Sequence, residues 1–125
     1  MQELSASLED YLEVICNYAE AEKKIRAVDI SKELKISRAS ATEALKKLAN
    51  KGFINYERYE TISLTESGKN IAQKVVSKHR TLQKFFENIL GLPELEASLN
   101  ACKIEHIITE NAFEKIAEIV NKGVL

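Results

Sequence analysis

A run of short segments across residues 28–64 limits the folds that this sequence can adopt. A helical pattern over 28–34 is followed by a polar turn and by a second helical pattern over 37–50. Residues 53–56 and 61–64 are rich in β-prone side chains and are separated by a polar stretch. Two helices followed by a hairpin predict a winged helix-turn-helix, the unit whose second helix normally enters the major groove of DNA.

Helical patterns also flank this run, because apolar residues recur there at a spacing of three and four. Thr65 is a predicted helix cap, and Gly91 and Pro93 interrupt the pattern that follows it. The predicted fold class is therefore mainly α, with a winged helix-turn-helix and a small β-hairpin over 1–65 and a helical domain over 66–125. The predicted flanking helices are 5–22, 66–90, 93–108 and 110–122.

Composition limits the setting in which this chain works. No run of about 18 apolar residues exists, so we expect no membrane span. The N-terminus lacks a basic region followed by an apolar stretch, and we therefore expect no secretory signal and a cytoplasmic location. The two cysteines, Cys16 and Cys102, are too few for a disulfide framework, which leaves a thiol available as a metal ligand.

Charge is distributed unevenly along the sequence. Residues 23–58 carry ten Lys and Arg against four Asp and Glu, whereas the rest carries eight against fifteen, although the net charge is only −1. A basic segment in a near-neutral chain is a plausible electrostatic footprint for the phosphate backbone of nucleic acid. A solvated charged face would explain the charge alone equally well.

The start of the second short helix supplies the candidate contacts to DNA. Small and hydroxyl side chains there would let the helix approach the bases closely, and later lysines favour phosphates, which set affinity and register. A winged helix used for protein contacts is the alternative. The candidate DNA-contacting residues are Ala27, Ser37, Arg38, Ala39, Ser40, Thr42, Lys46, Lys47 and, at the wing tip, Arg58.

The segment 102–106 carries a second chemistry. If it is helical, Cys102, Glu105 and His106 share one face, because residues three and four apart are neighbours on a helix. Thiolate, carboxylate and imidazole are the usual protein ligands of divalent transition metals. The other histidine, His79, lies in a separate helical pattern. Taken singly, such residues are more often structural, and Cys16 on an apolar face has the character of a small buried hydrophobe.

Four segments in order resemble the diphtheria-toxin-repressor and manganese-regulator family. The resemblance runs through essentially the whole chain, and it implies a homodimeric, metal-activated transcriptional repressor of metal-uptake genes. It also implies a winged N-terminal domain over 1–65 and a helical metal-binding and dimerisation domain over 66–125. The segments are Ser7-Leu8-Glu9-Asp10-Tyr11-Leu12-Glu13, Leu64-Thr65-Glu66-Ser67-Gly68-Lys69, Lys78-His79-Arg80 and Cys102-Lys103-Ile104-Glu105-His106.

The ligand set implied by this resemblance is a hybrid of two types. Manganese-type members use an Asp and a Glu from the first helix, and the iron type uses a Cys at the position of Cys102. Iron-type members also have a Glu and a second His in an ancillary site, but this chain has Gln83 and Ser98 there. We expect this chain to lack the SH3-like domain of longer members. The implied ligands are Asp10, Glu13, His79, Cys102, Glu105 and His106.

A mixed set of carboxylates, imidazoles and one thiolate suits Fe²⁺ or Mn²⁺, with Fe²⁺ slightly favoured. We expect Co²⁺, Ni²⁺ or Zn²⁺ to substitute in vitro. The expected partners are double-stranded DNA with a palindromic operator and a second copy of the chain, with no membrane and no small-molecule substrate. The mechanistic hypothesis is that the ion links the first helix to the later helices and so favours the arrangement that binds DNA.

Three alternatives follow from the same residues. One is a winged-helix regulator that senses redox state through Cys102 and responds to peroxide rather than to chelators. Another is a small metallohydrolase that uses Cys102, Glu105 and His106, although the sequence shows no Gly-rich phosphate loop and we expect no enzyme. The third is a protein-interaction module, which would show no salt-dependent DNA binding.

Overall fold

The computed structural model describes residues 6–57 and 61–122, so the predicted wing-tip contact Arg58 lies outside the described residues. The chain forms two compact units, Met1–Lys74 and Val75–Leu125. The boundary between them lies within a helix, whereas the predicted domains 1–65 and 66–125 divide at the start of that helix. That earlier division stays a prediction.

The first unit has the predicted winged helix-turn-helix. Its two strands are antiparallel, with Ile54 opposite Leu64 and Asn55 opposite Ser63. The backbone N–H of Ile62 also donates to the carbonyl of Ile25 at 3.0 Å, which ties the wing to the segment before the second helix. The elements are α1 (Ala6–Glu20), α2 (Ala27–Leu34), α3 (Arg38–Asn50), β1 (Ile54–Asn55), β2 (Ser63–Leu64) and the first part of α4 (Glu66–Lys84).

The helical stripes predicted for this unit form its core. Burying a leucine or isoleucine side chain stabilises a fold by roughly 1.5–3 kcal/mol, so a handful of such side chains dominates the stability of a small unit. The same stripes leave the opposite faces of the helices to polar residues, α3 included. The largest fully buried side chains of the unit are Leu12, Ile15, Ile30, Leu45 and Leu48.

The turn between α2 and α3 is fixed by local hydrogen bonds. Lys35 adopts a left-handed conformation with φ of 55°, and the Ser31 hydroxyl donates to the carbonyl of Ile36 at 2.7 Å. Ser37 is the N-cap of α3, as predicted, because its hydroxyl oxygen accepts the backbone N–H of Ser40 at 3.0 Å. These contacts set the direction in which α3 leaves the turn.

The second unit contains the remainder of α4 and two further helices. Its buried residues include Val75, Val76, Leu82, Ala97 and Ala101. A π-helical segment, Phe85–Ile89, continues α4, and α5 (Glu94–Ile104) and α6 (Glu110–Lys122) both pack against it. Among the described residues, no helix is long and apolar enough to cross a membrane.

Two helices of this unit end earlier than their predicted limits. The pattern over 66–90 predicts one α-helix, but the N–H of Leu90 donates to the carbonyl of Phe85, the five-residue spacing of a π-helix. Apolar periodicity over a few residues does not separate this spacing from that of an α-helix. The helix predicted over 93–108 corresponds to α5, which ends at Ile104 because Glu105 to Ile107 form a turn.

Candidate metal centre and nucleic-acid interface

Glu105 is a buried charged residue of the second unit, and two imidazoles lie beside its carboxylate. It follows the last residue of α5, and its backbone N–H still donates to the carbonyl of Ala101 at 2.9 Å. Its Oε1 lies 3.4 Å from Nδ1 of His79 on α4 and 3.7 Å from Nε2 of His106. The structure therefore brings together three of the predicted ligands, His79, Glu105 and His106, from two separate elements.

The second oxygen of this carboxylate is left without a partner. Oε2 of Glu105 is buried and has no hydrogen-bond partner within residues 6–57 and 61–122. Burying a charged oxygen without compensation is costly, and native proteins nearly always pair such atoms. An ion at this position would supply the missing compensation, so the residues present fit a cation site.

The donor types also fit a divalent transition metal. One carboxylate and two imidazoles make a nitrogen and oxygen set, which suits Fe²⁺ and Mn²⁺ and binds later transition metals as well. Cys102 is exposed, whereas Cys16 is buried in α1.

Ser98 is a polar neighbour of the site that sequence reasoning did not assign. Its Oγ lies 3.5 Å from Nε2 of His79. The resemblance to the family identifies Ser98 only as the residue standing where iron-type members have a histidine. Its spacing to Cys102 and Glu105, four and seven residues, is the signal that could have placed it on the same helical face.

The two predicted carboxylate ligands of the first unit lie on α1. Asp10 and Glu13 are three residues apart, so they occupy one face of that helix, and both are half-buried. Asp10 lines an open groove of about 550 Å³ within this unit, together with Tyr11 and with residues of α3. Burial raises the pKa of the Tyr11 hydroxyl above its ordinary value.

The outward face of α3 is polar and basic, as a DNA-contacting helix requires. Arg38, Lys46 and Lys47 are exposed, Thr42 is half-buried, and Ala27 at the start of α2 is half-buried. Ala41, Leu45 and Leu48 are buried on the other face of α3. Because they recur at helical spacing, the residues between them face outward. The predicted DNA-contacting residues of the first unit that the structure describes are therefore accessible to different degrees.

Some predicted contacts also serve the fold or line the groove. The Ser37 hydroxyl caps α3 through the backbone of Ser40 and donates to the Ser40 hydroxyl at 3.0 Å. Ala39, Ser40 and Lys47 line the same groove as Asp10. Ser37 is therefore explained as a helix cap without any contact to DNA, whereas the exposed guanidinium of Arg38 has no such role in the structure described.

Comparison with known proteins covers both units. The model of the iron-dependent repressor N-terminal DNA-binding domain matches residues 3–62, and that of the iron-dependent repressor metal-binding and dimerisation domain matches residues 65–123. A helix-turn-helix-type transcriptional regulator of Methanocaldococcus jannaschii is 38% identical over 120 residues, covering 95% of this chain and 96% of that protein. The regulator MntR of Oceanobacillus iheyensis is 32% identical, over 92% of this chain and 78% of its own length.

Solved structures show the same fold. A manganese-dependent transcriptional repressor in complex with manganese superposes with a TM-score of 0.81 at 27% identity, covering 91% of this chain and 52% of that one. IdeR of T. acidophilum superposes with a TM-score of 0.81 at 26% identity, covering 99% of this chain and 56% of that one. The chain thus spans about half the length of these two structures.

Proposed function

This chain belongs to the family of iron-dependent repressors, and we propose that a divalent ion held at Glu105 activates its binding to DNA. The family consists of metal-dependent DNA-binding transcriptional regulators rather than enzymes. The observation that carries the proposal is the buried carboxylate of Glu105, which faces two imidazoles and retains an unpartnered oxygen. No comparison supports the redox-sensing or metallohydrolase alternatives.

His79, Glu105 and His106 would hold the ion, and the ion would supply positive charge to a site that is otherwise short of it. A ligand stabilises whichever state of a protein it binds more tightly, and it shifts the population by no more than that difference in affinity. An imidazole is a good ligand only when the ring nitrogen that faces the ion presents its lone pair. The metal is proposed to be Fe²⁺ or Mn²⁺, with Co²⁺, Ni²⁺ and Zn²⁺ able to substitute in vitro.

Asp10, Glu13 and Cys102 complete the proposed ligand set. Their support is chemical and comes from the resemblance, since carboxylates suit Mn²⁺ and Fe²⁺ and the three residues match ligand positions of the family. Cys102 differs from the two carboxylates in being exposed and in offering a thiolate. Substituting each of the three separately and measuring metal affinity decides which of them belongs to the set.

The proposed DNA contacts divide by the chemistry of their side chains. Arg38, Ser40 and Thr42 stand near the start of α3, the part of a recognition helix that reaches base edges, and they would contribute to sequence selectivity. Lys46 and Lys47 would contact phosphates and so strengthen binding to all sequences alike. Ala27, Ala39 and Arg58 stay predicted contacts from the sequence.

The second unit carries the apolar surface that a dimerising chain needs. Four large apolar side chains of this unit are exposed by half or more, and two of them, Leu95 and Leu99, lie four residues apart on one face of α5. We propose that a second copy of the chain covers them and that the resulting two-fold dimer binds a palindromic operator. The four residues are Leu90, Leu95, Leu99 and Ile107.

An anaerobic fluorescence-anisotropy titration tests the proposal. The DNA is the region upstream of the gene for this protein, with a scrambled duplex as reference, and each titration is run with chelator, Mn²⁺ or Fe²⁺. Wild type should bind tightly and selectively only with metal. Glu105→Gln should lose at least about tenfold of the metal-stimulated affinity, the scale of a disturbed metal site.

The matched control is Glu114→Gln, which removes the same charge from an exposed position on α6 and should leave binding unchanged. Equal DNA binding with chelator and with metal would remove metal activation from the proposal. A Glu105→Gln protein that kept the full response to metal would instead remove Glu105 from the ligand set while leaving activation itself standing.

A further inference from the structure

The imidazole of His79 lies between two polar groups of different hydrogen-bonding ability. Nδ1 faces the Glu105 carboxylate at 3.4 Å, and Nε2 faces the Ser98 hydroxyl at 3.5 Å, the outer limit of hydrogen-bond distance. Ser98 is half-buried on α5, two turns before Glu105. Gln83, one turn further along α4 from His79, already donates its amide to Glu87 at 2.8 Å.

A neutral His79 ring carries one proton, and the chemistry of these two neighbours favours one nitrogen for it. A carboxylate only accepts hydrogen bonds, so in the metal-free protein Nδ1 carries the proton and donates to Glu105. Nε2 is then an acceptor, and the Ser98 hydroxyl donates to it. When Nδ1 instead presents its lone pair to an ion beside Glu105, the ring proton must move to Nε2, which now needs an acceptor.

We propose that Ser98 is a positioning residue for His79, whose hydroxyl reverses its hydrogen bond as the ring changes tautomer. A hydroxyl both donates and accepts, so Ser98 pairs with Nε2 in the metal-free and the metal-bound state alike. The partner on the distal nitrogen of a ligating histidine fixes the tautomer and the ring orientation, and it raises the basicity of the ligating atom. This role rests on the proposed function, because it assumes that His79 binds the ion.

The chemistry of the substitution at this position makes the proposal specific. Alanine removes the hydrogen bond in both states, whereas threonine keeps a hydroxyl that can do what serine does. An asparagine or histidine side chain donates and accepts with different atoms. It would therefore have to flip when the His79 ring changes tautomer. Only a hydroxyl reverses its role by rotation about one bond.

Nitrogen NMR of the metal-free protein gives the first test. The sequence has only two histidines, so a His106→Asn variant assigns the two rings in long-range proton–nitrogen spectra. At a pH where the ring is neutral, wild type should show His79 protonated on Nδ1, with Nε2 shifted as a hydrogen-bonded acceptor. Ser98→Ala should move the Nε2 resonance by several ppm toward that of an unbonded nitrogen, and Ser98→Thr should restore it.

Ser77→Ala is the control, because Ser77 is an exposed serine two residues from His79 on the same helix. It should leave the His79 spectrum unchanged. A metal-free wild type protonated on Nε2, or an Nε2 resonance that does not respond to Ser98→Ala, would overturn the proposal. Neither readout depends on metal binding or on DNA.

Titration with Zn²⁺, a diamagnetic probe, gives the second test. Loading should move the His79 proton to Nε2 in wild type, and Ser98→Ala should bind Zn²⁺ roughly tenfold more weakly, as expected when the partner of a ligating histidine is lost. Ser98→Thr should recover most of that loss. Equal affinities for wild type and Ser98→Ala would refute the positioning role. A wild type that binds no metal would refute the proposed function, and the metal-free spectra would still decide whether Ser98 holds the ring.

Discussion

Two polar regions of this molecule differ in whether their polar atoms have hydrogen-bond partners within the chain. The wing junction, formed by Gly52, Thr65, Ser67 and Gly68, satisfies its polar groups within the chain. The carbonyl of Gly52 accepts the hydroxyls of Thr65 at 2.6 Å and Ser67 at 3.1 Å, and the Thr65 hydroxyl in turn accepts the N–H of Gly68 at 3.1 Å. This region has the hydrogen bonding of a structure optimised for stability.

The carboxylate cluster, formed by His79, Glu105 and His106, retains a buried oxygen without a partner among the residues described. Oε1 of the same carboxylate lies close to both imidazoles, so the lack of a partner is confined to Oε2 of Glu105. A protein that leaves such a group buried gives up stability, which is the usual sign of a site that binds something. Substitutions in the junction should therefore lower stability, and those in the cluster should lower metal affinity instead.

The largest effect is expected for Gly68→Ala, at the junction. A Cβ atom at this position would lie 1.8 Å from the carbonyl oxygen of Phe53, a backbone atom that cannot turn away. We expect a loss of about 3 kcal/mol in the free energy of unfolding, as for severe overpacking, measured by urea denaturation. Gly52→Ala is the control, since its Cβ would meet nothing within 4 Å and only the φ of 82° opposes it, at a cost of about 1 kcal/mol. Equal losses for the two variants would contradict this account of the junction.

His106→Ala should produce the next largest effect, and it should appear in metal affinity rather than in stability. Removing one of the two imidazoles beside Glu105 should weaken Mn²⁺ binding by roughly 100-fold, about 2.8 kcal/mol at 1.4 kcal/mol per tenfold. Isothermal titration calorimetry measures the affinity, and the exposed Lys103→Ala is the control. Unchanged affinity in His106→Ala would exclude His106 from the ligand set.

Thr65→Ala should lower the free energy of unfolding less than Gly68→Ala does. It removes the cap of the first turn of α4 and one of the two hydrogen bonds to the carbonyl of Gly52, while Ser67 still donates to that carbonyl. A loss of about 1 kcal/mol in unfolding free energy is expected, typical of a lost helix cap. Thr65→Ser keeps the hydroxyl and should retain most of the stability. Comparable losses in both variants would argue that the threonine methyl, and not the hydrogen bonds, matters here.

Glu105→Gln should give the smallest change in the free energy of unfolding, and the sign of that change distinguishes the cluster from the junction. In metal-free protein it removes a buried charge while keeping an oxygen that accepts from His79. We therefore expect the unfolding free energy to stay level or to rise by up to about 1 kcal/mol. Thermal and urea unfolding with chelator present give the value. A clear loss of stability would show that the carboxylate is already compensated without metal.

Much of the fold follows from local sequence patterns, namely apolar periodicity and helix-capping residues. The apolar stripe over 110–122 predicts a helix with the limits that α6 has, and Ser37 caps α3 as its position before the stripe predicts. The winged helix-turn-helix, the mainly α fold and membership of the repressor family were confirmed as well. Patterns of this kind depend on neighbours within about one turn, so one sequence suffices to recognise them.

The carboxylate cluster could be predicted only in its residue types. His79 and Glu105 are 26 residues apart, and their meeting depends on how α4 and α5 pack around the π-helical segment Phe85–Ile89. The helical spacing of Cys102, Glu105 and His106 predicts a shared face. The helix nevertheless ends before Glu105, leaving the thiol exposed and the carboxylate buried.

The amino-acid sequence is enough to show which segments form helices, which helix faces are apolar, and which residues have the chemistry of metal ligands and phosphate contacts. These properties are local, because they depend on side-chain type and on the periodicity of a single element. Packing between elements, by contrast, buries Oε2 of Glu105 without a partner among residues 6–57 and 61–122 and turns Nε2 of His79 toward Ser98. Burial and ring orientation are set by side chains from several elements at once, and no pattern along one stretch of chain encodes them.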